Sequence, residues 1–315
     1  MIAGNKLINH LPNVLGEQKP ITADVFITDF CNNKCPYCTY ERYKVREGNY
    51  TNFEDFKKYT ERLLELGIQG IILTGGGEPT VNPDFDKITN YLENNKINYG
   101  INTNFNILKF IKPNYLKISL DGYDKESYFR NRGVDKYDVV VENIKNYCDW
   151  KIKNNVKTKV GIQNVVVNVE DVKKFYDAHK DLPVDYIVFR PLESTGGKDF
   201  EKIYNSDVDK IISVLKELEK FDERVKINFK WFELKSKFSK CFAHWTQLAV
   251  NEKGEVMYCC HKPYEILGHI LDDDIMKKHR TAKTNISKCD IPCRLTGANH
   301  FIENLENPSN DKMFI

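Results

Sequence analysis

Residues 21–38 read ITADVFITDFCNNKCPYC, an apolar run of strand composition that ends in three cysteines. The run is too apolar to leave one face in water, which suits a strand of a parallel sheet covered by helices on its faces. The alternation continues along the chain. ADVFIT is followed by FEDFKKYTERLLELG, GIILTG, FDKITNYLENN, YGINTN, YLKISLDG, a helical stretch at 138–155, KVGIQNVVV, VEDVKKFYDAHK and YIVFRP. Apolar strands alternating with amphipathic helices predict an α/β fold, and about six βα units fit between residue 20 and residue 200.

The helical segments carry their own markers. In FEDFKKYTERLLELG the residues Phe53, Phe56, Tyr59, Leu63 and Leu66 recur at helical spacing and predict a face packed on the sheet, with Gly67 ending the helix. Tyr147 and Cys148 follow Ile144 by three and four residues, so Cys148 is expected to be a buried thiol. A loop with Gly196 and Gly197 precedes a polar helix, SDVDKIISVLKELEKF. The last quarter offers only short strands, QLAVNEKG and EVMYCC, a turn at Asn251 to Gly254, and a helix in DDDIMKKHR. So little regular structure calls for a staple such as metal ligation.

Composition sets outer limits. A 315-residue chain with 41% hydrophobic and 29% charged residues can bury a barrel-sized core plus a small appendage. The net charge of +2, with both signs interspersed, gives no clear nucleic-acid signal. No secretory h-region and no apolar stretch of membrane-spanning length occurs, so no membrane partner and a cytoplasmic location are expected. In that compartment nine cysteines point to ligands or buried thiols rather than disulfides.

CNNKCPYC stands at the predicted C-terminal end of the first strand, the end at which βα barrels carry their chemistry. Three thiolates in one tight loop can bind three irons of a [4Fe-4S] cube and leave the fourth iron open; structural zinc or inert thiols are the alternatives. Zinc in such a site normally closes its shell with a fourth protein ligand, and neither His nor Cys follows nearby. One βα unit later comes LTGGGEPT, in which Gly75, Gly76 and Gly77 expose backbone to a ligand and Glu78 supplies an anionic acceptor suited to an ammonium group.

These motifs resemble those of the radical S-adenosylmethionine enzymes, over nearly the whole chain. Cys31, Cys35 and Cys38 match the family's CxxxCxxC loop and Tyr37 its usual aromatic position. Gly76, Gly77 and Glu78 match the motif that contacts the methionine amino group, and Ser119 and Asp121 of KISLDG match a strand end near the methionine or ribose portion. INTN at 101–104 resembles the family's TNG segment, but Phe105 stands where the glycine would be. Gln163, Asn168 and Arg190 are candidates for the rest of the cofactor wall, each open to a plain loop-organising role. The resemblance implies a partial TIM-like (β/α)6 barrel with a small C-terminal cluster-binding domain. It also implies S-adenosyl-L-methionine held by the open iron, and reductive cleavage to a 5'-deoxyadenosyl radical.

C-x12-G-x4-C from Cys241 through Gly254 to Cys259, followed by Cys289-x3-Cys293, is similar to the auxiliary-cluster extension called SPASM, or its shorter relative, the twitch domain. That likeness implies a second [4Fe-4S] cluster on Cys241, Cys259, Cys289 and Cys293, with zinc as the alternative. Cys259 is favoured over Cys260 by its spacing from the glycine, and His244 and His261 are open between capping a site and packing a loop. The expected organisation is an extension at 1–19, the barrel at 20–200, a linker helix region at 201–238, the cluster domain at 239–300 and a tail at 301–315. The leading functional expectation is a radical SAM oxidoreductase that dehydrogenates a small polar metabolite such as an aminosugar or aminocyclitol. The alternative is peptide epimerisation or crosslinking. Either needs a reducing electron donor such as flavodoxin or ferredoxin.

Overall fold

The computed structural model describes residues 10–17, 19–42, 45–166, 168–192, 208–227, 240–286, 289 and 293–306. The Gly196–Gly197 loop, most of the expected N-terminal extension and the end of the expected tail lie outside the described residues. Seven strands run parallel in chain order: β1 (Thr22–Phe26), β2 (Gly70–Thr74), β3 (Tyr99–Thr103), β4 (Tyr115–Ser119), β5 (Lys159–Val166), β6 (Tyr186–Pro191) and β7 (Val225–Ile227). The helices of the crossovers are α1 (Thr39–Arg42), α2 (Phe53–Glu65), α3 (Phe85–Asn94), α4 (Lys125–Arg132), α5 (Tyr137–Lys153), α6 (Val169–His179) and α7 (Val208–Phe221). This is the α/β fold expected from the alternation, in the partial barrel that the resemblance implied, with a seventh parallel strand inside the expected linker region.

The C-terminal section adds β8 (Leu248–Val250), β9 (Glu255–Met257), β10 (Ile266–His269), α8 (Ile275–Thr281) and α9 (Thr296–Glu306). β8 lies parallel beside β1, and β9 and β10 follow as antiparallel neighbours, so one ten-stranded sheet runs in the order β10-β9-β8-β1-β2-β3-β4-β5-β6-β7. The extension therefore continues the barrel wall, and its loops are fixed to the same strand that delivers the first three cysteines. α9 runs across residue 301, the expected start of the tail.

Helix α2 shows why these elements form. Asn52 caps it by accepting from the amide of Asp55, and Glu54 and Asp55 stand in the first turn, where the helix dipole favours negative charge. Phe56, Tyr59 and Leu63 are buried on one stripe, and each large apolar side chain so covered contributes about 1.5–3 kcal/mol. Gly67 then takes φ +93°, the left-handed conformation that stops the helix. The outer faces of the strands are sealed by such helices: Ala23, Val25, Ile71, Leu73, Ile101, Leu116 and Ile118 belong to one continuous core. Tyr147 and Cys148 are buried in it, as their spacing predicted.

Candidate functional site

The cysteine loop is shaped from three sides. Cys38 donates its amide to the carbonyl of Cys35 at 3.1 Å, which closes a tight turn over CPYC. The end of α4 supports it: the Arg132 carbonyl accepts the Lys34 amide at 3.1 Å, and the Cys35 thiol lies 3.8 Å from the same oxygen. Gly133 makes that approach possible, since its φ is +69° and a Cβ there would lie 2.3 Å from the Lys34 carbonyl. On the third side the Arg46 guanidinium donates to the Gly76 carbonyl at 2.9 Å and lies 3.2 Å from the Cys38 sulfur. All three thiols are half-buried. Burial pushes the Cys31 thiol up to about 11 and raises Cys35, and each of these feels the charge of its neighbouring thiol. Thiols held protonated by burial become thiolates when a cation arrives to compensate them. Three soft donors on one loop, beside a glycine turn, fit a thiolate-ligated iron-sulfur group.

The glycine turn presses directly on this loop. Gly77 and Glu78 donate their amides to the carbonyls of Thr28 and Phe30 at 3.0 and 2.8 Å. A Cβ on Gly77 would fall 2.0 Å from the Phe30 carbonyl oxygen, so no other residue fits. Glu78 is buried and its carboxylate already accepts four hydrogen bonds. One oxygen accepts from the amide and hydroxyl of Thr80 and the hydroxyl of Thr103, at 3.1, 2.7 and 2.6 Å; the other accepts from the Asn104 amide at 2.6 Å. The carboxylate thus clamps the turn after β2 to the end of β3. INTN takes part in the site through this clamp and through Asn104, whose amide nitrogen donates to Asn32 of the cysteine loop at 2.6 Å. Phe105 adopts φ +59°, so the position resembling the family's glycine holds a bulky buried residue in left-handed backbone.

Asp121 is the second hub. It is fully buried with φ +47°, accepts from the Val165 amide at 2.7 Å and the Arg132 guanidinium at 2.9 Å, and receives the Tyr37 hydroxyl at 3.1 Å. Cysteine loop, β4 end, β5 and α4 therefore meet at one carboxylate. Ser119 is half-buried at the end of β4, in register with Gln163, whose carbonyl accepts the Leu120 and Asp121 amides at 3.1 and 3.3 Å. Asn168 uses both ends of its side chain on Asp171, accepting its amide at 2.8 Å and donating to its carboxylate at 2.7 Å, and so caps α6. Arg190 is half-buried at the end of β6, within charge range of the buried Tyr37 hydroxyl. Arg46 and Arg132 were not legible as site residues. Arg46 follows Cys38 by eight residues, whereas Arg132 stands 97 residues after Cys35 and has no local signal.

The later cysteines form a second neighbourhood. Burial raises the Cys259 thiol, and the charges of Cys260, Cys293 and Cys241 raise it further. Tyr258, between β9 and this loop, feels Cys241, Cys259 and Cys289 together. Lys262 is buried, donates to Glu265 and to the Asn285 carbonyl at 3.0 Å each, and brings its charge near Cys289 and Cys241. Cys260 differs from Cys259. Its sulfur lies 3.1 Å from the Arg294 guanidinium and it packs with Phe26 on the inner side of the sheet; although burial opposes it, Arg294 and His261 hold this thiol below the ordinary value. His244 is buried against Tyr258 and the Cys241 carbonyl, and burial lowers it to about 4. Among the described residues no three Cys, His, Asp or Glu side chains converge on a point suited to a single metal ion.

Shallow hollows elsewhere, lined by Lys112, Asn114 and Thr158 or by Glu93 and Asn98, lie at the opposite ends of β3 to β5 and hold none of these groups. Among the described residues no helix is long and apolar enough to cross a membrane.

The family model described as the radical SAM superfamily matches residues 25–182. A curated relative, the Fe-coproporphyrin III synthase of Methanosarcina barkeri, is 26% identical over 212 residues, 64% of this chain and 51% of its own. The chain spans about half the length of the curated relatives it matches. Among solved structures, Streptococcus suis SuiB bound to precursor peptide SuiA superposes with a TM-score of 0.61 at 17% identity, covering 91% of this chain and 67% of that one. Native anSMEcpe with bound AdoMet and Cp18Cys peptide gives a TM-score of 0.61 at 21% identity, covering 86% and 82%. At those identities the likeness is one of fold.

Proposed function

The chain belongs to the radical SAM superfamily, and from that premise we propose that this radical SAM enzyme abstracts hydrogen from a peptide. Cys31, Cys35 and Cys38 would hold one [4Fe-4S] cluster together with S-adenosyl-L-methionine. Cys241, Cys259, Cys289 and Cys293 would hold a second. When bound, the first cluster and its cosubstrate supply a 5'-deoxyadenosyl radical, and the second supplies an electron sink for an oxidative outcome. A low-potential donor of the flavodoxin or ferredoxin type would reduce the first.

The observation that carries this reading is the joint between cysteine loop and glycine turn, where the Phe30 carbonyl receives the Glu78 amide at 2.8 Å and only glycine fits at 77. That joint brings the backbone of Gly76 and Gly77 beside the thiols. Glu78 acts by holding the turn to β3, since both of its oxygens already receive donors. Asp121 likewise orients Tyr37 and Arg132 around the loop, while Ser119, Gln163 and Arg190 line the wall facing it. Asn168 contributes by capping α6. Arg46 holds the Cys38 side of the loop and adds positive charge beside the thiols.

The support for a peptide is architectural: the two solved folds that share both barrel and C-terminal extension with most of this chain hold peptides, by their descriptions. A small polar metabolite is the second reading, favoured by the curated relative named for a coproporphyrin product. Reconstituted protein incubated with a peptide pool and, separately, with a metabolite pool decides between them by exact mass together with chiral amino-acid analysis of the peptides. Loss of two hydrogens or an epimerised residue in the peptide arm supports the proposal, and product confined to the metabolite arm overturns it.

A further inference from the structure

The inner wall of the barrel holds a group of side chains that the radical chemistry leaves unused. Alternation along the strands points Asp24, Ile72, Thr74, Asn102, Tyr115, Lys117 and Tyr186 away from the helix-packed core. Of these, Ile72, Thr74, Asn102, Tyr115, Lys117 and Tyr186 are half-buried whereas their outward neighbours are sealed, so the inner face lines an open channel. Tyr115 and Tyr186 lie across it. Their rings occupy the space that a Cβ on Gly100 or Gly161 would need, at 2.1 Å in each case.

The C-terminal section sends one residue into this channel. Arg294, next to Cys293, places its guanidinium 2.8 Å from the Asp24 carboxylate, 2.9 Å from Gln247 and 3.1 Å from the Cys260 sulfur. Tyr115 lies within charge range of Asp24, Tyr186 and Arg294. Four elements distant in sequence thus converge at the level of Tyr115, four residues before Ser119 on the same strand.

Two acceptors on this wall are unmet. Asp24 is 1% exposed, and its Oδ1 has no donor, Arg294 being bound through Oδ2. Asn102 donates to Thr74 at 3.2 Å, but its own Oδ1 is buried without a donor. A buried acceptor left unmet is costly, so such atoms mark the place of a donor that arrives from outside. Charge decides which kind of donor. The Asp24 carboxylate is balanced by Arg294, and Lys117 and Arg190 add positive charge to the same wall, so an ammonium group is disfavoured and a neutral N–H is not.

We propose that Asp24 and Asn102 form a subsite on the inner barrel wall that accepts amide N–H groups of the substrate's peptide backbone, with Arg294 holding Asp24 in place. The subsite rests on the peptide reading above, and Arg294 is a positioning residue within it. It also links the loop of Cys293 to the channel, so that the region of the second cysteine set and the substrate share one support.

Crystals of the reconstituted protein soaked with N-acetyl-alanine N-methylamide test this without any variant. The expected result is the probe in the channel with an amide nitrogen within hydrogen-bond distance of Asp24 Oδ1. In solution, the analogue with an ester oxygen in place of whichever N–H reaches Asp24, which keeps the shape but lacks that donor, should bind roughly tenfold more weakly, as loss of one hydrogen bond to a charged acceptor implies. Asp24→Asn should abolish the difference. A water at Asp24 that the probe does not displace, equal binding of amide and ester, or a preference for ethylammonium overturns the subsite. Reductive cleavage of S-adenosyl-L-methionine, measured on the same preparation, reports separately on the catalytic reading.

Discussion

The guanidinium of Arg132 lies 2.9 Å from the carboxylate of Asp121 in a pair whose side chains are 10% and 0% exposed. That one contact joins the end of β4 to the helix that supports the cysteine loop, because the Arg132 carbonyl also receives the Lys34 amide. A buried pair broken from one side leaves an uncompensated charge, which costs about 3–5 kcal/mol. Arg132→Leu is therefore expected to lose that much stability in chemical denaturation. Arg130→Leu, which removes an exposed contact at 3.6 Å to Asp171, should lose no more than about 1 kcal/mol. Equal losses would show that the Asp121 pair does not organise the site.

Gly77→Ala should fail where Gly70→Ala succeeds. At Gly77 the added methyl would overlap the Phe30 carbonyl at 2.0 Å, against backbone that cannot yield, whereas at Gly70 the nearest atom is a Thr22 methyl at 3.7 Å. The expected cost is above about 3 kcal/mol or outright insolubility for the first, and within about 1 kcal/mol for the second. A soluble Gly77→Ala protein with unchanged stability would contradict the close packing of turn on loop.

Glu252 gives a pH dependence of definite sign. Burial first, and the Asp29 charge second, raise its carboxyl to about 7. The folded chain then holds a proton that the unfolded chain releases near the ordinary glutamate value. The stabilisation is full below pH about 4.5 and is lost as pH rises through about 7, amounting to about 3 kcal/mol at most. Glu252→Gln cannot lose that proton, so its stability relative to wild type should rise between pH 5 and pH 8. A difference that stays flat over this range would remove the assigned shift.

The adjacent thiols Cys259 and Cys260 face different surroundings, and iron analysis separates them. Cys259→Ala should drop the reconstituted protein from roughly eight irons per chain to roughly four, while Cys260→Ala should retain roughly eight, one cube per cysteine set. The reverse outcome would make Cys260 the ligand and would require the Arg294 contact to break on loading.

Local pattern was enough for much of this fold. Strands β1 to β6, β8 and β9 and helices α2, α3 and α5 to α8 follow from apolar runs and helical spacing, whereas β7, β10 and α9 were not read, and Gly67 ends α2 where its lack of a side chain permits φ +93°. The cysteine loop and glycine turn were legible because each is contiguous in sequence. What local pattern could not show is long-range pairing. Helix α4 has no apolar stripe to announce it, yet it carries Arg132, and the Asp24–Arg294 contact spans 270 residues. Nor does a glutamate in GGGEP reveal that its oxygens will be taken up by Thr80, Thr103 and Asn104. Phe105 stands where the resembling motif has glycine, and its left-handed backbone at φ +59° is held by a ring buried against Tyr147 at 6.0 Å between centroids. Burying a phenylalanine outweighs the roughly 1–2 kcal/mol of the left-handed backbone.

The central claim is that Cys31, Cys35 and Cys38 support reductive cleavage of S-adenosyl-L-methionine. Its most direct measurement is 5'-deoxyadenosine formed under anaerobic reducing conditions by reconstituted wild type and by the triple Cys→Ala variant, with the iron content of each determined in parallel. The account predicts steady formation by wild type, and none by a folded variant that keeps the irons of the second set. Cleavage by that variant at the wild-type rate would contradict it.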